Sequence, residues 1–376
     1  MKKRLVLIGA GRAHLHVLKS LTMLAPQPFD GVEITLISPF ARQVYSAMLP
    51  GWIAGHYDIS QCVIPLLPLA ERADALFRQT AATNINFARS MIYCTDGQEI
   101  PFDLLSIDAE YVADLSIVSG LAQPAIPTRS IESFIESHAK LADEILARHK
   151  RGERTRVAFV GAGTASAELA LAIQHRFFDF DLGVTLISAA STLPGSVGPR
   201  LARIMRARGI VVLAGQAVTN VTRDGVQLAS GAMVEADIVI AATSTAVAKW
   251  PCESGLKTDA GGLILVNDQL QSISHANVFA AGDCSLIENH ARPEFDSYAA
   301  KAGPLLNENL RRALRGDSLQ RHVSKARSMY LISAGGKYAI GSWGNFSWEG
   351  GWVWLLKDMM DRGFIGRYVV DDARGK

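Results

Sequence analysis

Short apolar runs alternate with glycine turns and helical repeats along this chain. Arg4 to Ile8 and Arg156 to Val160 are each the right length for a buried parallel strand. Each runs straight into a glycine pattern, Gly9-Ala10-Gly11-Arg12-Ala13-His14 and Gly161-Ala162-Gly163-Thr164-Ala165-Ser166, that opens on a helical periodicity. After the first turn, Leu15, Leu18, Leu21 and Leu24 recur at helical spacing until Pro26 and Pro28 end the helix, and Val32 to Ser38 follows as a strand. The second unit repeats that order with a helix through Ile173 and a strand from Val184 to Ser188, and the apolar run Ile238 to Ala242 closes it. Between the units, Met91 to Cys94 and Leu104 to Ile107 predict two more strands. Tyr45 to Tyr57, rich in Gly, Pro and aromatic residues, predicts an irregular loop that crosses a cofactor. Gln123-Pro124-Ala125-Ile126-Pro127 reads as a linker at a domain boundary, and Ile131 to His149 as a charged helix. Near the end, Trp352, Leu355, Leu356, Met359 and Met360 form an apolar stripe with Lys357, Asp358, Asp361 and Arg362 opposite, so an amphipathic helix is expected.

Two strand, turn and helix units imply two dinucleotide sites. The turn needs glycine so that the backbone can bend tightly and bring its N–H groups against a pyrophosphate, which then sits at the positive end of the helix dipole. A third signal, Val278-Phe279-Ala280-Ala281-Gly282-Asp283, is an apolar run ending in a glycine and a short acid. Such a pair lets the chain approach a cofactor closely and accept a hydrogen bond from one of its hydroxyls.

Composition narrows the class. With 376 residues, 49% of them hydrophobic, and a net charge of +2 with interspersed signs, the chain can build two cored domains and lacks a basic stripe for nucleic acid. No run approaches the ~20 apolar residues of a membrane span. Met1-Lys2-Lys3-Arg4 leads into an apolar run too short for a signal peptide, so a cytoplasmic location is expected. Cys62, Cys94, Cys252 and Cys284 lie far apart, without metal-ligand spacing or a C-x-x-C pair, so neither a metal site nor a disulfide relay is expected.

The order Gly9-Ala10-Gly11, then Gly161-Ala162-Gly163 with Glu168 after it, then Phe279-Ala280-Ala281-Gly282-Asp283 resembles the two-dinucleotide-binding-domain flavoproteins of the pyridine nucleotide-disulfide oxidoreductase superfamily, in their type II NADH dehydrogenase-like branch. Tyr45-Ser46-Ala47-Met48-Leu49-Pro50-Gly51, Ile53-Ala54-Gly55-His56-Tyr57, Ser342-Trp343-Gly344 and Trp352-Val353-Trp354 resemble most the flavoprotein module fused ahead of selenophosphate synthetase in some bacteria. The resemblance implies an α/β fold of two Rossmann-like, three-layer β/β/α domains, the second inserted in the first. Residues 1–122 and 263–318 would bind FAD, 123–262 would bind NAD(P)H, and 319–376 would form a C-terminal interface segment. It places the FAD pyrophosphate at Gly9, Gly11, Arg12 and Ala13, with Ser38 and Pro39 at the adenosine end. A ribityl hydroxyl falls on Asp283 beside Gly282, and Ala302 and Gly303 begin a helix under the flavin. Tyr45, Met48 and Pro50 are candidates for lining the flavin ring, with core filling the alternative for Tyr45 and Met48. Gly161, Gly163, Thr164 and Ser188 are the NAD(P)H counterparts.

Several positions depart from the pattern. The third fingerprint glycine is His14 in one unit and Ser166 in the other, and Ser38 and Ser188 stand where an acid usually grips the adenosine ribose. Asp108-Ala109-Glu110 and Ala242-Thr243-Ser244 replace glycine-containing turns, where a side chain held at positive φ costs about 1 kcal/mol and crowds the cofactor. Glu294 occupies a common lysine position, and a carboxylate there opposes an anionic reduced flavin.

The activity implied is transfer of a hydride from NAD(P)H to FAD and of the electrons onward to a quinone-like or other diffusible acceptor. Glu168 is the candidate for orienting the nicotinamide or its ribose, against the alternative of a helix-surface glutamate, and Tyr298 for bordering the acceptor pocket. The C-terminal stripe from Trp352 to Met360 can rest on the inner face of a membrane, or pack on the body or across a homodimer. The competing functional class is a degenerate FAD-binding protein without turnover, serving as a structural or regulatory partner.

Overall fold

The strand Lys3–Ile8 lies at the centre of a five-stranded parallel sheet, and Leu5, Val6, Leu7 and Ile8 are all buried. A strand covered on both faces must be apolar throughout, which is why it reads as an unbroken run. Leu104–Ile107 flanks it on one side and Val32–Ser38 on the other, with Val278–Ala280 and Ala75–Gln79 at the edges. The second sheet repeats this order: Thr155–Val160 lies between Ile238–Ala241 and Leu182–Ser188, with Ala125–Pro127 and Val211–Ala214 outside. Val278–Ala280 belongs to the first sheet yet follows the whole second sheet in sequence, so the second unit is inserted in the first. This computed structural model describes residues 2–23, 29, 31–110, 112–113, 118–120, 125–161, 163–193, 195–242, 245–246, 248–289, 297–322 and 329–369, with backbone alone at 23, 112–113, 245–246 and 297–301.

Each sheet has helices on one face and a three-stranded antiparallel meander on the other. The meanders are Ala82–Asn86, Met91–Cys94 and Glu99–Pro101 in the first unit, and Val218–Thr222, Gly225–Leu228 and Met233–Glu235 in the second. On the helical side, Arg12–Met23 buries Leu15, Val17, Leu18 and Leu21 against Ser297–Arg315, which offers Ala302, Leu306 and Leu310. Each buried leucine contributes roughly 1.5–3 kcal/mol. Gly303 permits the close approach, because a Cβ there would stand 2.7 Å from the His16 Cβ.

Three expectations need correction. Gly303-Pro304 does not start a helix: Ser297–Arg315 begins earlier and carries Pro304 inside it. Tyr45 to Tyr57 is not an irregular loop, since Ser46–Met48 forms a 3₁₀ turn that runs into the α-helix Leu49–Ile53. Pro50 sits in that helix's first turn, where a missing N–H costs nothing. Gly51 lets the Tyr57 ring cross it, for a Cβ there would lie 2.3 Å from the ring. Finally, Ala125–Pro127 is an edge strand of the second sheet rather than linker.

The C-terminal piece is an antiparallel sheet of Met329–Ser333, Ala339–Trp343 and Phe346–Gly350, followed by the helix Gly351–Ile365. Of the two arrangements left open for that helix, the structure shows the apolar stripe turned outward. Its inward face holds Val353, Trp354, Lys357, Asp361 and Ile365, whereas Trp352, Leu355 and Met359 are 60%, 62% and 65% exposed.

Candidate functional site

In an open α/β sheet, ligands bind beyond the carboxyl ends of the strands, where the strand order reverses. In the first sheet that point lies between Lys3–Ile8 and Leu104–Ile107, at Gly9 and Asp108. Gly9 adopts φ +87°, and a Cβ there would come within 2.3 Å of the Asp108 carbonyl oxygen, so only glycine fits. The Gly11 N–H donates to that same carbonyl at 3.0 Å. The Asp108 carboxyl then turns back on the helix: its Oδ2 accepts from the Ala13 and His14 N–H groups at 2.8 and 3.0 Å. It fills the space between two glycine turns, since a Cβ on Gly11 or on Gly282 would lie 2.1 or 2.0 Å from its Oδ1. Burial, with the charge of Asp283, pushes the Asp108 carboxyl up to about 7 against the two amides and Arg12. None of Asp108, Ala109 or Glu110 has positive φ, so this turn is not strained by its missing glycine; Thr243 and Ser244 of the second unit lie outside the described residues.

The non-glycine third positions share one function. His14 is fully buried, with Nδ1 2.7 Å from the Gly9 carbonyl oxygen and Nε2 2.8 Å from the Ser106 hydroxyl. The Ser166 hydroxyl donates to the Gly161 carbonyl at 2.6 Å. Each side chain therefore pins the carbonyl of its own first glycine. Burial lowers His14 to about 4, so the ring is neutral, Nδ1–H donates to Gly9, and Nε2 accepts from Ser106. Below its ordinary pKa near 6.5 the unfolded chain binds a proton that the folded one refuses, so stability falls as pH drops from about 6.5 towards 4. The expected loss from this ring is about 2–3 kcal/mol by pH 4.5, read by denaturant unfolding across pH. A His14→Gln variant is expected to be less stable at pH 7 and to decline less steeply with acid.

Gly11, Arg12, Tyr45, Asp108, Glu110, Arg129, Asp283 and Phe364 are among the residues lining a cleft with about 540 Å³ of empty space, partly open to solvent. Phe364 stacks on Tyr45 at 4.4 Å, closing one side with the end of the C-terminal helix. A glycine turn at a helix N-terminus, an acid on a 3₁₀ turn and an aromatic wall together fit a dinucleotide such as FAD.

Beside this cleft lies a cluster that joins the three parts of the chain. Lys357 donates to Asp361 at 2.5 Å and to the Ala47 carbonyl at 2.7 Å, and both side chains are buried. The Tyr45 hydroxyl donates to Asp361 at 3.3 Å. Glu168, on the second fingerprint helix Thr164–Arg176, accepts from the Ser333 N–H at 2.7 Å. Burial pushes Glu168 up to about 7, opposed by Lys357 and Ser333, with Asp361 adding to the rise. Asp361 is also raised, first by burial and against the pull of Lys357. Tyr57 donates to Asp358 at 2.7 Å at the edge of the same region. The sequence pattern singled out Glu168 and set Lys357 and Asp361 opposite the apolar stripe without giving them a role. Their i, i+4 spacing opposite an apolar stripe was the available signal.

The other candidates scatter. Met48 and Pro50 are buried, Met48 in the core of the first unit, and Tyr45 is the member of that trio at the cleft. Ser38 and Ser188 end equivalent strands, and each hydroxyl donates into its own turn, to Phe40 O at 3.2 Å and Ala190 O at 3.1 Å; Pro39 is exposed beside Ser38. Gly161 has φ +110°, Gly163 is exposed with open space around it, and Thr164 starts the second fingerprint helix. Ala302 and Gly303 face the first fingerprint helix. The side chain of Tyr298, and Glu294 altogether, lie outside the described residues. All four cysteines are unpaired, and burial pushes the thiols of Cys62 and Cys94 up to about 12 and 11 and raises Cys284, so these three stay protonated. Among the described residues no cluster of three or more His, Cys, Asp or Glu could hold a metal, and no helix is long and apolar enough to cross a membrane.

Paired parallel sheets, paired glycine turns and a downstream Gly-Asp turn returning to the first sheet define a two-dinucleotide-domain oxidoreductase. The chain belongs to the pyridine nucleotide-disulphide oxidoreductase family, whose model matches residues 3–303. It is similar to ferroptosis suppressor protein 1 of Xenopus laevis, at 26% identity over 72% of each chain. It is also similar to the demethylphylloquinone reductase NdbB of Synechocystis sp., at 23% identity over 75% of this chain and 72% of that one. Its fold is that of the sulfide:quinone oxidoreductase of Aquifex aeolicus, with TM-score 0.81, 18% identity, and 99% and 93% of the two chains covered.

Proposed function

We propose that the chain oxidises NAD(P)H by way of FAD and passes the electrons to a quinone-like acceptor that approaches from a membrane surface. The observation that carries this reading is the cluster of half-buried Glu168 with buried Lys357 and Asp361, set where both fingerprint units and the C-terminal helix converge. FAD, when bound, supplies the two-electron relay between nicotinamide and acceptor. Gly9, Gly11, Arg12 and Asp283 would hold it, Tyr45 would wall it, and Gly161, Gly163 and Thr164 would take the NAD(P)H pyrophosphate. Reducing a quinone to a quinol consumes two electrons and two protons, whereas a nicotinamide delivers two electrons and one proton. The second proton must come from another donor. Lys357 can give it at the acceptor, Asp361 holds the ammonium in place, and Glu168, poised near neutrality, can exchange it. The relative from Synechocystis is named for a quinone, which supports this acceptor class. The FAD-loaded chain is expected to consume NADH or NADPH one for one with added quinone; nucleotide oxidation indifferent to quinone overturns the reading.

The outward stripe supports a membrane approach. Trp352, Leu355 and Met359 stand exposed on one helix face, and Trp343 and Phe346 add exposed rings on the hairpin packed against that helix. Tryptophan beside long apolar side chains suits the bilayer interface. The chain is expected to float with vesicles of neutral phospholipid at low and high salt, and a Trp352→Ser/Leu355→Ser/Met359→Ser variant is expected to lose most of that binding. Retention in the soluble fraction under both conditions, with a concentration-dependent dimer, would assign the stripe to a second copy instead.

A further inference from the structure

The first-unit glycine turn differs from a bare anion cradle in one respect. The amides of Ala13 and His14, in the first turn of the fingerprint helix, already bond the Asp108 carboxyl, and both bond the same oxygen, Oδ2. Oδ1 occupies the space that a Cβ on Gly11 or Gly282 would take, between the two turns that would embrace the cofactor, and Asp108 lines the cleft. Oδ1 is therefore the oxygen left for a ligand. A carboxylate oxygen there can only accept, and so can the oxygens of a pyrophosphate. The two repel unless a proton lies between them.

The surrounding charges do not remove this conflict. From the fingerprint helix, Arg12 faces Asp108 and His14 is neutral. From the 3₁₀ turn come Asp283 and the protonated Cys284 thiol. From the chain after Leu104–Ile107 comes Glu110, itself raised by burial, and Arg129 completes the wall. The two arginines face three carboxyls before any ligand arrives, and a dinucleotide brings about two more negative charges.

We infer that Asp108 is a proton-coupled contact of the dinucleotide: FAD binding to the first unit takes up one proton, which settles on Asp108 Oδ1 and is donated to a pyrophosphate oxygen. This inference rests on the FAD reading above. Atoms balance simply, since one proton leaves solvent, the Oδ1–H bond forms, and Oδ2 keeps both amide hydrogen bonds. Before binding, burial already holds this carboxyl near neutrality, so modest added negative charge suffices to protonate it. The affinity for FAD must then fall as pH rises above neutrality.

The test uses the full FAD-loaded chain, diluted at a series of pH values, with free flavin read by its fluorescence. The FAD Kd is expected to rise about 10-fold or more between pH 6.5 and 8.5. An Asp108→Asn variant keeps an acceptor for the two amides and places an N–H where the proton would be; its Kd is expected to be flat with pH and, at pH 8.5, below that of the wild type. An indicator dye in weakly buffered solution at pH 8 is expected to report about one proton taken up per FAD bound by the wild type, a measurement that does not depend on the variant folding. A Kd independent of pH with no proton uptake overturns the inference and leaves the FAD reading standing. No FAD binding at any pH, in wild type or variant, overturns both.

Discussion

Replacing Lys357 with Met is expected to slow reduction of a quinone by roughly 100-fold or more, the usual span for a lost proton donor, while reduction of the flavin by NADH changes only a few-fold. The separation follows from placement. Lys357 touches Asp361 and the Ala47 carbonyl on the side of the C-terminal helix, not the second glycine turn where the nucleotide would lie. The substitution also leaves Asp361 buried without its cation, which costs about 3–5 kcal/mol. Stability and chemistry must therefore be separated. A Lys357→Met/Asp361→Leu variant removes both charges and is expected to recover most of the stability while staying slow with quinone. Stopped-flow of the two half-reactions and denaturant unfolding of both variants provide the readout. Wild-type quinone kinetics in the double variant would remove Lys357 from the mechanism.

The second large effect separates the two glycine turns. Gly9→Ala is expected to cost 3 kcal/mol or more and to abolish FAD retention, because the new Cβ meets backbone: the Asp108 carbonyl oxygen at 2.3 Å, at a φ of +87° that alone costs about 1 kcal/mol. Backbone held in a central parallel sheet cannot yield as a flexible side chain can. Gly163→Ala in the second turn is expected to cost under about 1 kcal/mol, since a Cβ there meets nothing within 4 Å and the residue's φ is −63°. Thermal unfolding of the two variants beside the wild type measures the contrast directly.

Much of the architecture was legible in the sequence because doubly covered parallel strands leave an unambiguous trace. Lys3–Ile8 and Thr155–Val160 cannot carry a charge in their centres, and Gly9 and Gly161 cannot be anything but glycine at their φ values. The return of Val278–Ala280 to the first sheet was implied instead by the family resemblance that Gly282-Asp283 carries. Where the sequence misled, the deciding contacts were distant ones. Gly51 and Pro50 look like breakers, but the Tyr57 ring lying on Gly51 makes that segment a helix. Periodicity gave the C-terminal helix its two faces without saying which was inside; Lys357 can be buried because it finds Asp361 and the Ala47 carbonyl, 310 residues away. The Asp108 cap joins positions 95 residues apart, so no local pattern could announce it.

The most direct test of the central claim is an anaerobic titration of the FAD-loaded chain followed by its visible spectrum. The account predicts that one equivalent of NADH or NADPH bleaches the flavin band and that one equivalent of quinone then restores it fully. A band unchanged by either nucleotide, or one bleached by nucleotide and left bleached by quinone, would contradict it.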